Sequence, residues 1–353
     1  MTAVDLAREL VRLDTRGGGE RAAADLLADR LDDAGLAVTV HETRPGRANV
    51  VAHRGDETPV TVTGHLDTVP ADAAVWSFDP HAGDVVDGRL RGRGSSDMKA
   101  GVASAVVAAA EHVRAGGRGV QVVLTFGEET GCEGAREIPA RALRPSGTLL
   151  VAEPTANRVV LGHKGVLWLE LVALGVPAHG SRPDLGHNAL VDLARAAVRI
   201  HEHDAWPSSA THGSTTANVG MMRAGIQPNV VPDRAALTVD LRLVPGDTAD
   251  AAAATVAELA GVAVETERLV ELPLIDTDPA RVTRVVELLG GGTGQYATYF
   301  TDASVLAGAL GGADTIVCGP GEPEQAHVTD ETAPAGLIEP AAEAYRRVLA
   351  ALT

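Results

Sequence analysis

The chain has 353 residues, 45% of them hydrophobic, enough for the cores of about two domains, and it lacks any apolar run of about twenty residues that would span a membrane. A formal charge of −17 argues against nucleic acid and anionic membrane surfaces as partners, because phosphate binding needs clustered Lys and Arg. Two cysteines, Cys132 and Cys318, make no disulfide framework, and the stretch MTAVDLARELVRLDTRGGGE carries acids inside its apolar pattern, so no signal peptide is indicated and a cytoplasmic location is expected.

In chain order, residues 3–13 and 20–35 have helical periodicity and lead into strands at 36–42, 49–55 and 59–65. After a loop through 70–96, MKAGVASAVVAAAEHVRAGG reads as an Ala-rich helix stopped by Gly116 and Gly117. Strands VQVVLTFGEE and GTLLVAEPT follow. Alternation of strand and helix predicts an α/β fold with a mostly parallel sheet, whose ligands bind beyond the carboxyl ends of the strands. From residue 164 the order changes to strand 165–174, helix 188–203, strands 215–225 and 235–244, helix 248–261 and strand 262–270. That β-α-β-β-α-β order is the split unit of ferredoxin-like α+β domains. A helix at 279–290, a connection LGGGTGQYATYF, a strand ADTIVCG and a helix at 335–351 return to the first pattern. The expected organisation is a discontinuous domain, 1–163 with 273–353, carrying an inserted domain at 164–272.

Chemistry-bearing residues collect at the predicted strand ends. VTVTGHLDTVP closes a strand with Gly64 and delivers His65 and Asp67, whose i, i+2 spacing puts both side chains on one side. Asp97 ends GRGSSD, where it reads either as a helix cap or as a ligand. Glu128 and Glu129 follow VQVVLTF, Glu153 ends TLLVAE, and His327 lies in GPGEPEQAHVTDE. Carboxylates packed into one cleft repel unless cations or protons intervene. Mixed imidazole and carboxylate donors suit Zn²⁺ or another first-row ion better than Ca²⁺ or Mg²⁺. Only two of the 30 basic residues are lysines, Lys99 in GRGSSDMKAG and Lys164 in LGHKGVLW.

GHLDTVP, GRGSSDMKAG, TFGEETG, AEPT and PAHGSRPDLGHNAL closely resemble the co-catalytic zinc amidohydrolases and peptidases of the M20 family, over nearly the whole chain. YFTDAS and GPGEPEQAHVTDE look more like the acetylornithine deacetylase branch than the succinyl-diaminopimelate desuccinylase branch. The resemblance implies a zinc-peptidase-type catalytic domain with an inserted lid and dimerisation domain. It also implies two Zn²⁺ ions, with Co²⁺ or Mn²⁺ as alternatives. His65, Asp97 and Glu153 would hold one ion and Asp97, Glu129 and His327 the other, so that Asp97 bridges. Asp67 would fix the His65 tautomer by accepting its second ring N–H. Glu128 would be the general base, because successive strand side chains diverge and Glu129 faces a metal.

By the same resemblance, His179 in PAHGSRP would stabilise the oxyanion across a homodimer interface. Asn229 in QPNVVPD and Arg242 in VDLRLVP would grip the substrate carboxylate. The Asp97–Met98 peptide is expected to be cis. These implications make the chain a metal-dependent hydrolase of N-acyl amino acids, releasing a carboxylic acid and a free amino acid. Alternatives are a metallo-dipeptidase or carboxypeptidase with the same centre, and a catalytically silent metal-dependent binding protein.

Overall fold

The computed structural model describes residues 1–292 and 296–353. Of the connection read at 289–300, residues 293–295 lie outside the described residues. The chain divides into two units. One holds Met1–Gly162 and most of the chain after Leu274, and the other holds His163–Leu274 with Tyr296–Phe300.

In the first unit, helices α1 (Ala3–Val11) and α2 (Glu20–Asp33) precede strands β1 (Ala37–Arg44), β2 (Arg47–Arg54) and β3 (Val60–His65). Helix α3 (Ala100–Arg114) then leads to β4 (Val120–Thr125) and β5 (Thr148–Val151). The second unit contributes β6 (Gly165–Leu174), α4 (Ala189–Glu202), β7 (Thr216–Ala224), β8 (Arg234–Leu243), α5 (Ala249–Ala260) and β9 (Glu265–Leu272). Helix α6 (Pro279–Leu288), strand β10 (Asp314–Val317) and helix α7 (Ala335–Leu352) complete the first unit.

The first sheet has the order β1-β2-β4-β3-β5-β10. Its β4-β3-β5-β10 half is parallel, whereas β1 and β2 pair antiparallel with each other and β2 pairs antiparallel with β4. The sheet is therefore mixed. Every residue of β3, β4 and β5 is buried, which is why these strands read as continuous apolar or β-branched runs. Helix α2 covers β1 and β2, and α3 packs on β3 and β4 and against α7. Small side chains let α3 approach closely: a Cβ on Gly101 would lie 1.9 Å from the main-chain oxygen of Ala152, just beyond β5.

Two boundaries differ from the sequence reading. Helix α3 starts at Ala100, after a distorted turn Ser95–Lys99 that contains the cis Asp97–Met98 peptide. Strand β4 stops at Thr125, because the amide of Phe126 turns to Asn49 Oδ1 at 3.1 Å and Gly127 takes φ 64°.

The second unit has a four-stranded antiparallel sheet in the order β7-β8-β6-β9. Leu167, Leu169 and Leu171 of β6 and Leu237, Val239 and Leu241 of β8 form its core with Leu193, Ile200 and Val256 from the two helices. The alternating burial of β8 shows one face covered by α4 and α5. Tyr296–Phe300, read with the catalytic domain, belongs here instead. Phe300 packs edge-on to Trp168, with ring centroids 6.5 Å apart, and Tyr296 packs on His212 at 4.2 Å.

Both lysines are internal. Lys99 is 2% exposed and its Nζ donates to Leu13 O at 2.8 Å, while Lys164 is 5% exposed and donates to Ser214 O. Burial depresses the Lys99 ammonium to about 8. No helix among the described residues is long and apolar enough to cross a membrane.

Candidate metal centre

Strand register gathers the acids and imidazoles. β3 ends at His65 directly beside Thr125, the end of β4, and Thr63 pairs with Val151, the end of β5. The segments after these strands carry Asp67, Glu128, Glu129 and Glu153, while the turn before α3 carries Asp97. His327 comes from the loop after β10 and sits at φ 63°, in the left-handed region that imidazole-bearing residues occupy only occasionally.

His65 Nε2 lies 3.2 Å from Asp97 Oδ1 and 3.8 Å from Glu153 Oε1. The other Asp97 oxygen, Oδ2, lies 3.3 Å from His327 Nε2, which in turn is 2.8 Å from Glu129 Oε2. One carboxylate thus faces both imidazoles, one oxygen to each. His65 and Glu153 are buried, whereas the His327 side chain is 52% exposed and gives the cluster its open side.

The electrostatics are those of anions short of cations. Burial pushes the carboxyls of Glu128 and Glu153 well above the usual range, and Glu129 is also raised by burial. Burial alone would raise Asp97 too, but hydrogen bonds from His327 and His65 hold it low. Burial would lower His65, yet Asp97 and the neighbouring carboxylates drive it well above its ordinary value. Hydrogen bonds to Asp97 and Glu129 carry His327 to about 10. Cations placed among these groups would relieve the repulsion that also raises the buried carboxyls. One donor atom each from His65, Asp97 and Glu129 lie within 4.8 Å of one another, and Glu129 Oε1 is buried with no hydrogen-bond partner among the described residues. Nitrogen and oxygen donors in this mixture match zinc-type ions.

Asp67 acts differently from the expectation. His65 Nδ1 is 3.0 Å from the main-chain oxygen of Asp67 but 3.6 Å from its carboxylate. That carboxylate instead accepts the amides of Glu128 and Glu129, each at 3.2 Å. The two glutamates therefore lie on a turn fixed through its amides, beyond the end of the strand at Thr125, and not on an alternating strand.

Substrate-side candidates lie in the second unit. His179 and Asn229 sit on paired segments: Gly180 N donates to Asn229 O at 2.7 Å, and His179 Nδ1 accepts from Ser181 N at 3.1 Å. Both side chains are exposed. Arg242 is on β8, where its fork already grips Asp240 at 2.9 Å and its guanidinium stacks 5.0 Å from the Phe300 ring. A free carboxylate clamp at Arg242 is therefore not what the structure presents.

Two buried acids near the cluster escaped the sequence reading. Asp302, within YFTDAS, accepts from Thr125 Oγ1, and burial raises its carboxyl to about 6. Glu331 is wholly buried and accepts the amides of Gly94, Ser96 and Asp97 at 2.9, 2.8 and 3.0 Å, plus Arg93 Nη1 at 2.6 Å. Its one visible signal is a place four residues after His327.

Comparison with known proteins identifies the family. Residues 61–351 match the model of peptidase family M20/M25/M40. A probable carboxypeptidase of Aspergillus clavatus is 30% identical over 98% of this chain and 81% of its own length. An acetylornithine deacetylase of Vibrio campbellii is 30% identical over 94% and 91%. An M20 family metallo-carboxypeptidase from Sulfolobus solfataricus shares the fold, with a TM-score of 0.79 at 18% identity and 98% of both chains covered. With the matched span, the mixed sheet and the cluster at its strand ends in agreement, the chain belongs to peptidase family M20/M25/M40 and is a metal-dependent hydrolase.

Proposed function

We propose that the protein hydrolyses the amide bond of an N-acyl amino acid. The observation that carries the reading is Asp97 facing both imidazoles, with Glu129 and Glu153 flanking and Glu128 buried beside them. His65, Asp97 and Glu153 would hold one ion, and Asp97, Glu129 and His327 the second. Two Zn²⁺ bound there, or Co²⁺ or Mn²⁺ in their place, would supply the Lewis acidity that polarises an amide carbonyl and acidifies water. Glu128, held by its amide on Asp67, takes the proton from the attacking water and returns it to the leaving nitrogen. His179 donates to the oxygen on which charge builds, and Asn229 binds the substrate carboxylate. Arg242 joins Asn229 only by exchanging Asp240 for substrate.

The chain would self-associate through the inserted unit, which would let His179 of a second copy serve the site. Edge strand β7 leaves Met221 and Met222 exposed at 49% and 36%, a surface suited to an isologous pairing.

The alternative with support of its own is a carboxypeptidase, since the Aspergillus relative is named so. The deciding experiment quantifies amine release from a panel of N-acetyl, N-succinyl and N-formyl amino acids and from unblocked dipeptides, using zinc-loaded protein. Preference for the N-acyl compounds is expected. Faster cleavage of dipeptides would replace the deacylase reading with the peptidase one.

A further inference from the structure

We propose that Glu331 is a positioning residue that sets Asp97 and His327 against each other before any cation arrives. The inference rests on the reading of this cluster as the metal centre. Three of the four donors to the Glu331 carboxylate are main-chain amides of the segment 94–97 that carries Asp97, and the fourth is Arg93, the residue before it. Glu331 itself stands four residues beyond His327. Its main-chain oxygen accepts Gly92 N–H at 3.0 Å, and the next residues, Thr332–Pro334, pair antiparallel with Arg89–Arg91. Two segments more than 230 positions apart in the chain are thereby joined; one carries Asp97 and the other follows His327, whose Nε2 lies 3.3 Å from Asp97 Oδ2.

Charge matters as much as shape. Both Glu331 oxygens are engaged, Oε1 by Ser96 and Asp97 and Oε2 by Gly94 and Arg93. Hydrogen bonds to an ionised acceptor are roughly twice as strong as neutral ones. A glutamine keeps one acceptor oxygen, turns an NH₂ toward donors, and leaves Arg93 without its buried counter-charge. A plain structural ion pair would need Arg93 alone; the three amides of the ligand-bearing turn are what such a pair does not require.

Amide hydrogen exchange on chelator-stripped wild-type protein tests the claim without a substitution. Residues 94, 96 and 97 should exchange slowly without metal; rapid exchange that slows only after zinc is added overturns the proposal. Glu331→Gln adds the second arm. Competition against a chromophoric chelator should show zinc binding about 10- to 100-fold weaker than in the wild type. Zinc-saturated Glu331→Gln should lose kcat with KM held within about twofold, because Glu331 does not touch substrate. A loss of zinc affinity below tenfold in folded Glu331→Gln assigns the residue a structural role only and overturns the proposal. If the wild type binds no zinc, the metal-centre reading falls and this inference with it, an outcome distinct from failure of the variant arm alone. Should Glu331→Gln fail to fold, the exchange result on the wild type decides.

Discussion

Replacing Asp67 with Asn separates two ways of organising the metal centre. In the native chain both oxygens of Asp67 accept main-chain amides, those of Glu128 and Glu129, at 3.2 Å. Asn offers one oxygen, so one buried N–H loses its charged acceptor and meets an NH₂ group. A hydrogen bond to a charged group contributes about 1.5–3 kcal/mol. If that loss appears as misplacement of the Glu128 turn, kcat falls by about 10- to 100-fold at saturating zinc, since about 1.4 kcal/mol is a factor of ten. The His65 ring should be untouched, because its Nδ1 is held by the main-chain oxygen of Asp67, which the substitution leaves in place. Steady-state kinetics on an N-acetyl amino acid measures the first effect, and ¹⁵N chemical shifts of labelled histidine measure the tautomer. A switched His65 tautomer, or an unchanged kcat, would refute this division of labour between the Asp67 main chain and side chain.

Glu128→Gln should retain both metal equivalents and lose orders of magnitude in kcat, whereas Glu129→Gln should weaken metal binding; reversal of the two phenotypes contradicts the assignment. His327 is raised to about 10, so at neutral pH the metal-free protein holds it protonated and cation uptake must expel that proton. Zinc affinity should therefore rise with pH across the neutral range, by about tenfold per unit for each proton released, and calorimetry in buffers of different ionisation enthalpy should detect the release. Gly101→Ala forces a Cβ onto the Ala152 main-chain oxygen and should cost roughly 2 kcal/mol or more, lowering Tm by about 4–8 °C; an unchanged Tm would mean that α3 can shift away from β5.

The parts of the molecule legible in its sequence are those with a local signature. Continuous β-branched runs ending in Gly64, in Phe126 and in Ala152 marked the strands, and the abrupt acids and histidines after them marked the rim. Glu331 had no such signature, because its partners are amides more than 230 residues away and main-chain donors leave no trace in side-chain identity. The same limit hid the role of the Asp67 main chain, and it hid Asp302, whose partner Thr125 looks like any strand threonine. The resemblance that singles out Arg242 carries no information on its neighbours: Asp240, two residues earlier on the same face of the strand, already fills its fork.

Burial of both lysines changes how the folded chain meets amine chemistry. Lys99 and Lys164 are the whole lysine complement of the sequence, and both are buried residues. Acylating reagents, reducing sugars and amine-directed cross-linkers then find no lysine on the native surface, while the arginines keep it charged without offering a comparable nucleophile. Acylation of Lys99 or Lys164 becomes a record of opening: each modified lysine in a mass spectrum marks a molecule whose interior has been breached, in the unit where that lysine resides.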